Sequence, residues 1–135
     1  MDASADDIHL LKTETRRIAV VGASAKPGRP SHGVMRFLLA SGYEVTPVNP
    51  NLAGQEVLGR KVVATLADAG PLDMVDVFRR AEEAGAVVDE AVRLGARSVW
   101  MQLGVVDRKA AERARAAGVT VVMNRCPAIE WPMLT

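Results

Sequence analysis

The stretch RIAVVGASAKPGRPSHGVMRFLLASGYEVTPVN, residues 17–49, contains an apolar run, a loop rich in glycine and proline, an amphipathic segment and a second apolar run. The amphipathic segment places Val34, Phe37 and Leu38 on one stripe, which is the spacing of a helix. Gly42 follows this segment, and a glycine there can adopt the left-handed conformation that closes a helix. The stretch therefore predicts strand, helix and strand, which is the unit of a parallel α/β sheet.

The same alternation continues along the chain, and Gly95 and Gly118 each separate a helical pattern from an apolar run. Several of these runs are nearly continuous, as expected for strands covered on both faces. The apolar runs of strand length are 17–23, 43–49, 73–78, 98–103 and 119–124. We therefore expect an α/β fold: a single Rossmann-like domain over residues 1–135, with a doubly wound parallel sheet of about five or six strands. Residues 1–15 are expected to form an N-terminal helical extension, and the less regular interval 50–72 to hold a short edge strand and a one-turn helix.

The composition limits the classes of function. The chain has 17 Lys and Arg against 16 Asp and Glu, and a net charge of +1 gives no general case for binding nucleic acid or a membrane. No apolar run approaches the roughly 18–20 residues that span a bilayer. The single cysteine, Cys126, excludes an internal disulfide and agrees with a reducing compartment, so the cytoplasm is the expected location. One cysteine and two histidines give no metal-ligating pattern, and no metal site is predicted.

The loop after the first predicted strand, GASAKPGRPSH, residues 22–32, has the composition of a phosphate site. Its spacing matches neither G-x-x-x-x-G-K-[ST] nor G-x-G-x-x-G. Lys26 and Arg29 supply positive charge, and a helix that starts near Ser31 would direct its N-terminus to the same place. Acids are sparse where the other predicted strands end, and Arg79 and Arg80 follow one of them. A phosphate-bearing nucleotide is therefore the expected ligand.

The end of the second predicted strand narrows the choice of nucleotide. An NAD site expects Asp or Glu there to hold the ribose hydroxyls, whereas this chain has Asn49 and Pro50. Ordinary NAD is therefore disfavoured, while NADP and other derivatives of ADP stay open.

Several spaced segments together resemble the small single-domain CoA-binding proteins, which are similar to the N-terminal CoA-binding domain of the succinyl-CoA synthetase α-subunit. These segments are VVGAS, RPSHGVMRFLLASGYEVTPVNPN, LDMVDVFRR, GARSVWMQLGV and GVTVVMNRCPAIE, and they run in order from about residue 17 to 131. The resemblance implies that the chain binds coenzyme A (CoA) or an acyl-CoA. The synthetase subunit also has a second domain with a phosphorylated histidine, and its partner supplies an ATP-grasp fold. This sequence has neither and contains only His9 and His32, so ligase activity by this sequence alone is not expected and no catalytic residue is assigned.

The resemblance also implies a set of ligand-binding residues. The loop after the first strand would meet the CoA phosphates, and the PVNP turn would lie by the adenosine. The segment after LDMVDV would border the diphosphate and the pantetheine, and the MQLGV turn would close the far side. The residues carried over in this way are Gly22, Ala23, Ser24, Lys26, Arg29, Pro30, Ser31, Asn49, Pro50, Phe78, Arg79, Arg80, Gln102 and Gly104.

Two other classes of function stay open at this point. An NADP-dependent oxidoreductase would need a proton donor, and the sequence offers no convincing one. A CoA-sensing regulatory or interaction subunit is compatible with every residue named, and a protein partner or a homo-oligomer is left open.

Cys126 follows a predicted strand end beside Arg125, which leads to the hypothesis that its thiol approaches the CoA thiol and forms a mixed disulfide.

Overall fold

The computed structural model describes residues 3–133, which form helices on both faces of a parallel sheet. The helices are α1 (Ala5–Glu14), α2 (Pro30–Ala40), α3 (Ala81–Arg93), α4 (Arg108–Ala116) and α5 (Pro127–Glu130). The strands are β1 (Arg17–Val21), β2 (Glu44–Val48), β3 (Glu56–Val57), β4 (Arg60–Lys61), β5 (Met74–Val77), β6 (Ser98–Met101) and β7 (Thr120–Met123). The predicted domain and its N-terminal extension also include residues 1–2 and 134–135, which lie outside the described residues.

The central sheet has the strand order β2-β1-β5-β6-β7, and all four neighbouring pairs are parallel. Each apolar run identified in the sequence contains one of these strands, so the predicted α/β fold with a doubly wound parallel sheet is confirmed. The glycines that were expected to close helices, Gly42, Gly95 and Gly118, have φ angles of 94°, 84° and 87°. They therefore end α2, α3 and α4 as the sequence predicts.

The strand order reverses between β1 and β5. The chain passes from β1 to β2, which pairs with one edge of β1, and β5 later pairs with the opposite edge of β1. Because the connections after β1 and β5 leave in opposite directions, a crevice opens between them at the carboxyl ends of the strands. The topology thus places the glycine-rich loop after β1 at the position where ligands bind in open parallel sheets.

Two apolar layers cover the faces of the sheet. On one face, α3 and α4 present mainly alanine and valine, and Ala84, Ala110 and Ala114 are fully buried. On the other face, α1, α2 and the C-terminal segment pack around two buried tryptophans, Trp100 and Trp131, whose ring centroids are 6.1 Å apart. Trp131 therefore anchors the C-terminal segment, including α5, beside α2.

The interval 50–72 differs in part from the expectation of an edge strand. Strands β3 and β4 form an antiparallel hairpin of their own, because Leu58 and Gly59 both take positive φ angles, 51° and 77°, which suit a tight two-residue turn. Beyond the hairpin, Val63 forms one isolated parallel bridge with Val48. The expected one-turn helix is present as a 3₁₀ turn at Ala67–Ala69.

At the amino end of the sheet, Asp73 binds the backbone that leads into β1. Its Oδ2 accepts hydrogen bonds from the backbone nitrogens of Arg16 and Arg17, at 2.9 and 3.0 Å. Burial opposes ionisation of Asp73, but the backbone donors of Arg17 and Arg16 and the charges of Arg97 and Arg17 outweigh it and lower the pKa of the carboxyl. Asp73 therefore joins β5 to β1 as a carboxylate.

None of the helices within residues 3–133 has the length and apolar character needed to cross a bilayer.

Candidate functional site

A cleft of about 1060 Å³ opens at the carboxyl ends of the strands, where the topology places the crevice. This volume is just above the range typical of small-molecule and cofactor sites, about 300–1,000 Å³. Its wall includes residues from the loop after β1, the first turn of α2, the turn after β2, the ends of β5 and β6, and the region of α5. The residues assigned from the sequence that line it are Gly22, Ala23, Ser24, Lys26, Arg29, Pro30, Ser31, Asn49, Phe78 and Gln102.

The other four assigned residues, Pro50, Arg79, Arg80 and Gly104, are not part of this lining. Pro50 is exposed in the turn after β2, and Arg80 is the N-cap of α3. The backbone nitrogen of Gly104 donates to Asn124 Oδ1 at 2.7 Å, which fixes the turn after β6. A ligand contact by these four residues stays a prediction.

Some lining residues were not assigned from the sequence. They are Ala25, Gly33, Val34, Asn51, Leu52, Leu103, Val105 and Ala128. Four of these eight, Ala25, Asn51, Leu103 and Val105, are direct neighbours of assigned residues in the same loops, so an assignment by loop rather than by single residue would have included them. Gly33 and Val34 lie in α2 and Ala128 lies in α5. Leu103, which is 57% exposed, lines the cleft, as do the apolar side chains of Val105 and Leu52.

Gly22 lets the loop after β1 pass close to the end of β5. Its φ angle is 90°, and a Cβ atom at this position would lie 2.3 Å from the carbonyl oxygen of Phe78. The backbone nitrogens of Gly22 and Ala23 donate to the carbonyl oxygen of Val48, at 3.0 and 3.3 Å. The loop is therefore held between the ends of β2 and β5, with its backbone at the cleft.

Asn49 fixes the same loop from the turn after β2. Its Nδ2 donates to the carbonyl oxygen of Ala23 at 2.9 Å, and its Oδ1 accepts from the backbone nitrogen of Asn51 at 2.8 Å. The side chain thus joins the two turns that border the cleft. It does so without adding a negative charge where an NAD site would have an acid.

The N-terminus of α2 is open towards an anion. Arg29 is its N-cap, no side chain caps it, and its first turn contains no acid. The other helices of eight residues or more carry acids at this end, namely Asp6 and Asp7 in α1, Glu82 and Glu83 in α3, and the capping Asp107 in α4. The partial positive charge of the α2 N-terminus is therefore left uncompensated by nearby acids.

Two cations reinforce this end of the cleft. Lys26 and Arg29 are exposed and line the cleft, and within residues 3–133 neither forms an ion pair with an acid. Ser24 Oγ accepts from the backbone nitrogen of Lys26 at 3.1 Å, which shapes the turn that carries the lysine. The N-terminus of α2 and these two cations together form a site that suits phosphate oxygens.

A buried acid near the cleft was missed by the sequence reasoning. Asp76 lies on the central strand β5 and is fully buried, and burial raises the pKa of its carboxyl well above the usual value. The amide of Gln102, which lines the cleft and is 5% exposed, lies against this carboxyl. The only available signal was the position of Asp76 within the apolar run DMVDVF, and an acid there is equally compatible with an exposed strand position.

Cys126 also lines the cleft and is 7% exposed, as the N-cap of α5. The mixed disulfide with a CoA thiol stays a prediction. His32 is buried in the first turn of α2 and is not part of the cleft lining. Its Nδ1 has no hydrogen-bond partner within residues 3–133. Among the described residues, no group of three or more His, Cys, Asp or Glu side chains could hold a metal ion.

Comparisons with known proteins agree with this geometry. The sequence model of a family described as CoA binding domain matches residues 16–132. The uncharacterized protein YneT of Bacillus subtilis is 40% identical over 121 residues, which cover 89% of this chain and 88% of YneT. The structure of a hypothetical protein from Pyrococcus horikoshii OT3 has a TM-score of 0.91 and 38% identity, and the match covers 98% of this chain and 92% of that one.

A larger relative has a named activity. The α-subunit of acetate–CoA ligase [ADP-forming] I from Pyrococcus furiosus is 30% identical over 122 residues, which cover 79% of this chain. The match covers 26% of that subunit, so the chain corresponds to about a quarter of its length.

Proposed function

Because this chain belongs to the CoA binding domain family, we propose that it binds coenzyme A or an acyl-CoA in the cleft and catalyses no reaction on its own. The observation that carries the proposal is the open N-terminus of α2 at a cleft of cofactor size, with Lys26 and Arg29 beside it. This arrangement favours a ligand that ends in phosphates. This preference for phosphates follows from the geometry of the cleft and agrees with the ligand for which the family is named.

The diphosphate of CoA would lie at the loop after β1. The backbone from Gly22 to Ser24 would border the diphosphate, and the N–H of Ser24 would be its donor because those of Gly22 and Ala23 already bind the carbonyl oxygen of Val48. The N-terminus of α2 would add its partial positive charge. Lys26 and Arg29 would neutralise phosphate charge from the solvent side. The hydrogen bond from Asn49 to Ala23 would keep this backbone in place before the ligand arrives, which lowers the entropic cost of binding.

The pantetheine arm and any acyl group would lie along the apolar part of the cleft. Phe78, Leu103 and Val105 line that part, and Cys126 borders it. CoA itself has one strongly charged end and one nearly neutral arm that ends in a thiol. The lining of the cleft likewise contains both cations, Lys26 and Arg29, and apolar side chains, which supports CoA over a ligand that is charged throughout.

The ligase relative supports CoA as the ligand but not ligation as the activity. Its match to this chain covers 26% of the subunit, so the rest of the ligase machinery has no counterpart in the residues compared. Binding of CoA or an acyl-CoA is the function that these residues support best. The single cysteine supports a reducing compartment such as the cytoplasm as the location.

Calorimetric titration of the purified protein with CoA, dephospho-CoA, NADP and ATP tests the proposal. We expect CoA to bind more tightly than NADP or ATP, because only CoA combines the diphosphate with a neutral arm that fits the apolar wall. Incubation of the complex, with CoA analysed by chromatography afterwards, should return unchanged CoA. Preferential binding of NADP would instead favour the oxidoreductase, and binding of none of these ligands would refute the proposal.

A further inference from the structure

Asp76 occupies a position where a carboxyl group costs stability. It is 0% exposed on the central strand, and its register partners are Val20 on β1 and Trp100 on β6. Within residues 3–133 no ion pair involves Asp76. A buried carboxyl without a cation is destabilising compared with an apolar side chain of similar size. Its presence at the ligand end of the sheet therefore calls for a role other than packing.

The contact that Asp76 makes leads directly to the cleft. With the amide of Gln102 oriented so that its nitrogen faces the carboxyl, the nitrogen donates to Oδ1 at 2.8 Å and to Oδ2 at 3.1 Å. This orientation places the amide oxygen at the other end, and Gln102 lines the cleft. Asp76 thus favours the orientation of the Gln102 amide in which the nitrogen faces the carboxyl. A carboxyl oxygen can accept from this nitrogen whether or not the acid is ionised.

We propose that Asp76 is a positioning residue, which fixes the Gln102 amide so that its oxygen accepts a hydrogen bond from an amide N–H of the pantetheine arm of CoA. The inference rests on the proposed binding of CoA and names the group of the ligand that Gln102 recognises. The pantetheine arm contains secondary amides, whose N–H groups must find acceptors when the arm is buried. A preoriented neutral acceptor satisfies such a donor without adding a charge next to the phosphates.

The replacement Asp76→Asn removes this preference with little change of shape. One carboxyl oxygen becomes an NH₂ group, so residue 76 then offers one acceptor and one donor to the Gln102 amide 2.8–3.1 Å away. The amide of Gln102 can therefore pair with residue 76 in either orientation. In one of these orientations the NH₂ group of Gln102 faces the ligand N–H, which places two donors opposite each other.

The experiment compares two ligands with four proteins: the wild type, Asp76→Asn, Gln102→Leu and the double variant. The ligands are CoA and adenosine 3′,5′-bisphosphate, which lacks the pantetheine arm. We expect Gln102→Leu to weaken CoA about tenfold, equivalent to about 1.4 kcal/mol, and Asp76→Asn to weaken it by less than that. Both variants should leave the affinity for the bisphosphate within about twofold of the wild type. In the double variant, Asp76→Asn should cause no further loss, because it acts only through Gln102.

The outcomes separate this inference from the proposed function. If the wild type binds neither ligand, both are refuted. If the wild type binds both and a variant loses both equally, CoA binding stands and the positioning role is refuted. Additive losses in the double variant would show that Asp76 acts independently of Gln102, which also refutes it. If Asp76→Asn does not fold, Gln102→Leu decides, because an unchanged ratio of CoA to bisphosphate affinity would exclude a contact with the arm.

Discussion

The replacement of Gly22 by alanine should destabilise the protein and the cleft together, because this residue holds the loop after β1 against β5. The backbone takes a φ angle of 90°, in a region that L side chains rarely adopt. The added Cβ would also lie 2.3 Å from the carbonyl oxygen of Phe78 and 3.0 Å from its carbonyl carbon. Both atoms belong to the backbone, so no side-chain rotation can relieve the overlap.

The expected cost has two parts. A non-glycine residue in a left-handed conformation costs about 1–2 kcal/mol. Forcing a rigid backbone apart at a packed site costs about 1–3 kcal/mol more. We therefore expect Gly22→Ala to lower the free energy of unfolding by about 3 kcal/mol, which corresponds to a melting temperature lower by about 10 °C for a chain of this size. CoA affinity should fall as well, because relief of the overlap moves the backbone donors of the loop.

Gly28→Ala is the matched control, since it places the same side chain in the same loop. A Cβ at residue 28 meets nothing within 4 Å, and its φ angle is outside the left-handed region. This change should stabilise the protein by about 0.4–1 kcal/mol, because it restricts the unfolded chain. Thermal unfolding followed by circular dichroism measures both variants. The steric reasoning would be refuted if the two variants shifted the melting temperature alike. It would also be refuted if the free energy of unfolding of Gly22→Ala were within about 0.5 kcal/mol of the wild-type value.

Three further predictions concern charge, pH and the thiol. Lys26→Ala should lower the affinity for CoA by about three- to tenfold, the loss typical of an exposed charge-assisted contact. Lys109→Ala on α4 should leave this affinity unchanged. Equal effects of the two replacements in calorimetry would refute a direct contact between Lys26 and a phosphate. Folding lowers the pKa of Asp73, so the Asp73 carboxylate stabilises the fold fully above its unfolded pKa of about 3.9. This stabilisation is lost as the pH falls through the pKa of the folded protein. Urea unfolding should therefore show that Asp73→Asn costs more stability at neutral than at acidic pH, and a constant difference would contradict this. CoA should slow alkylation of Cys126 by iodoacetamide, and oxidation with CoA should give an adduct in intact mass that Cys126→Ser lacks; no adduct, or an equal one, would refute the mixed disulfide.

The order of the elements was predictable because each signal is local. The loop after β1, the glycine that ends α2 and the apolar run of β2 are all contained in residues 17–49, and each has a physical reason that needs no distant contact. The parallel sheet then follows from the repeated helix–glycine–strand pattern. The hairpin at 56–61 was not predictable in the same way. Its turn depends on Leu58 at a φ angle of 51°, and a leucine gives no sequence signal for that conformation.

The cleft could be located from the sequence, but its details could not. The position at the carboxyl ends of the strands follows from the topology alone, so the loop with Gly22, Lys26 and Arg29 could be named in advance. Whether a residue in such a loop faces the cleft depends on how the loop folds. Arg79 and Gly104 follow strand ends as Phe78 and Gln102 do, yet only the latter two line the cleft.

Asp73 and Asp76 are close in sequence, but their pKa values shift in opposite directions and they affect the stability of the fold in opposite ways. Asp73 lies at the amino end of the sheet, where backbone N–H groups and arginines stabilise its charge, so its pKa is lowered and it strengthens the fold above that pKa. Asp76 lies near the carboxyl end, among apolar side chains, and burial raises its pKa, so it costs stability as the pH rises past its ordinary value. In a parallel sheet the amino end serves stability and the carboxyl end binds the ligand. An acid that weakens the fold at the ligand end, and whose hydrogen-bond partner lines the cleft, is therefore better explained by what the cleft binds than by what the core needs.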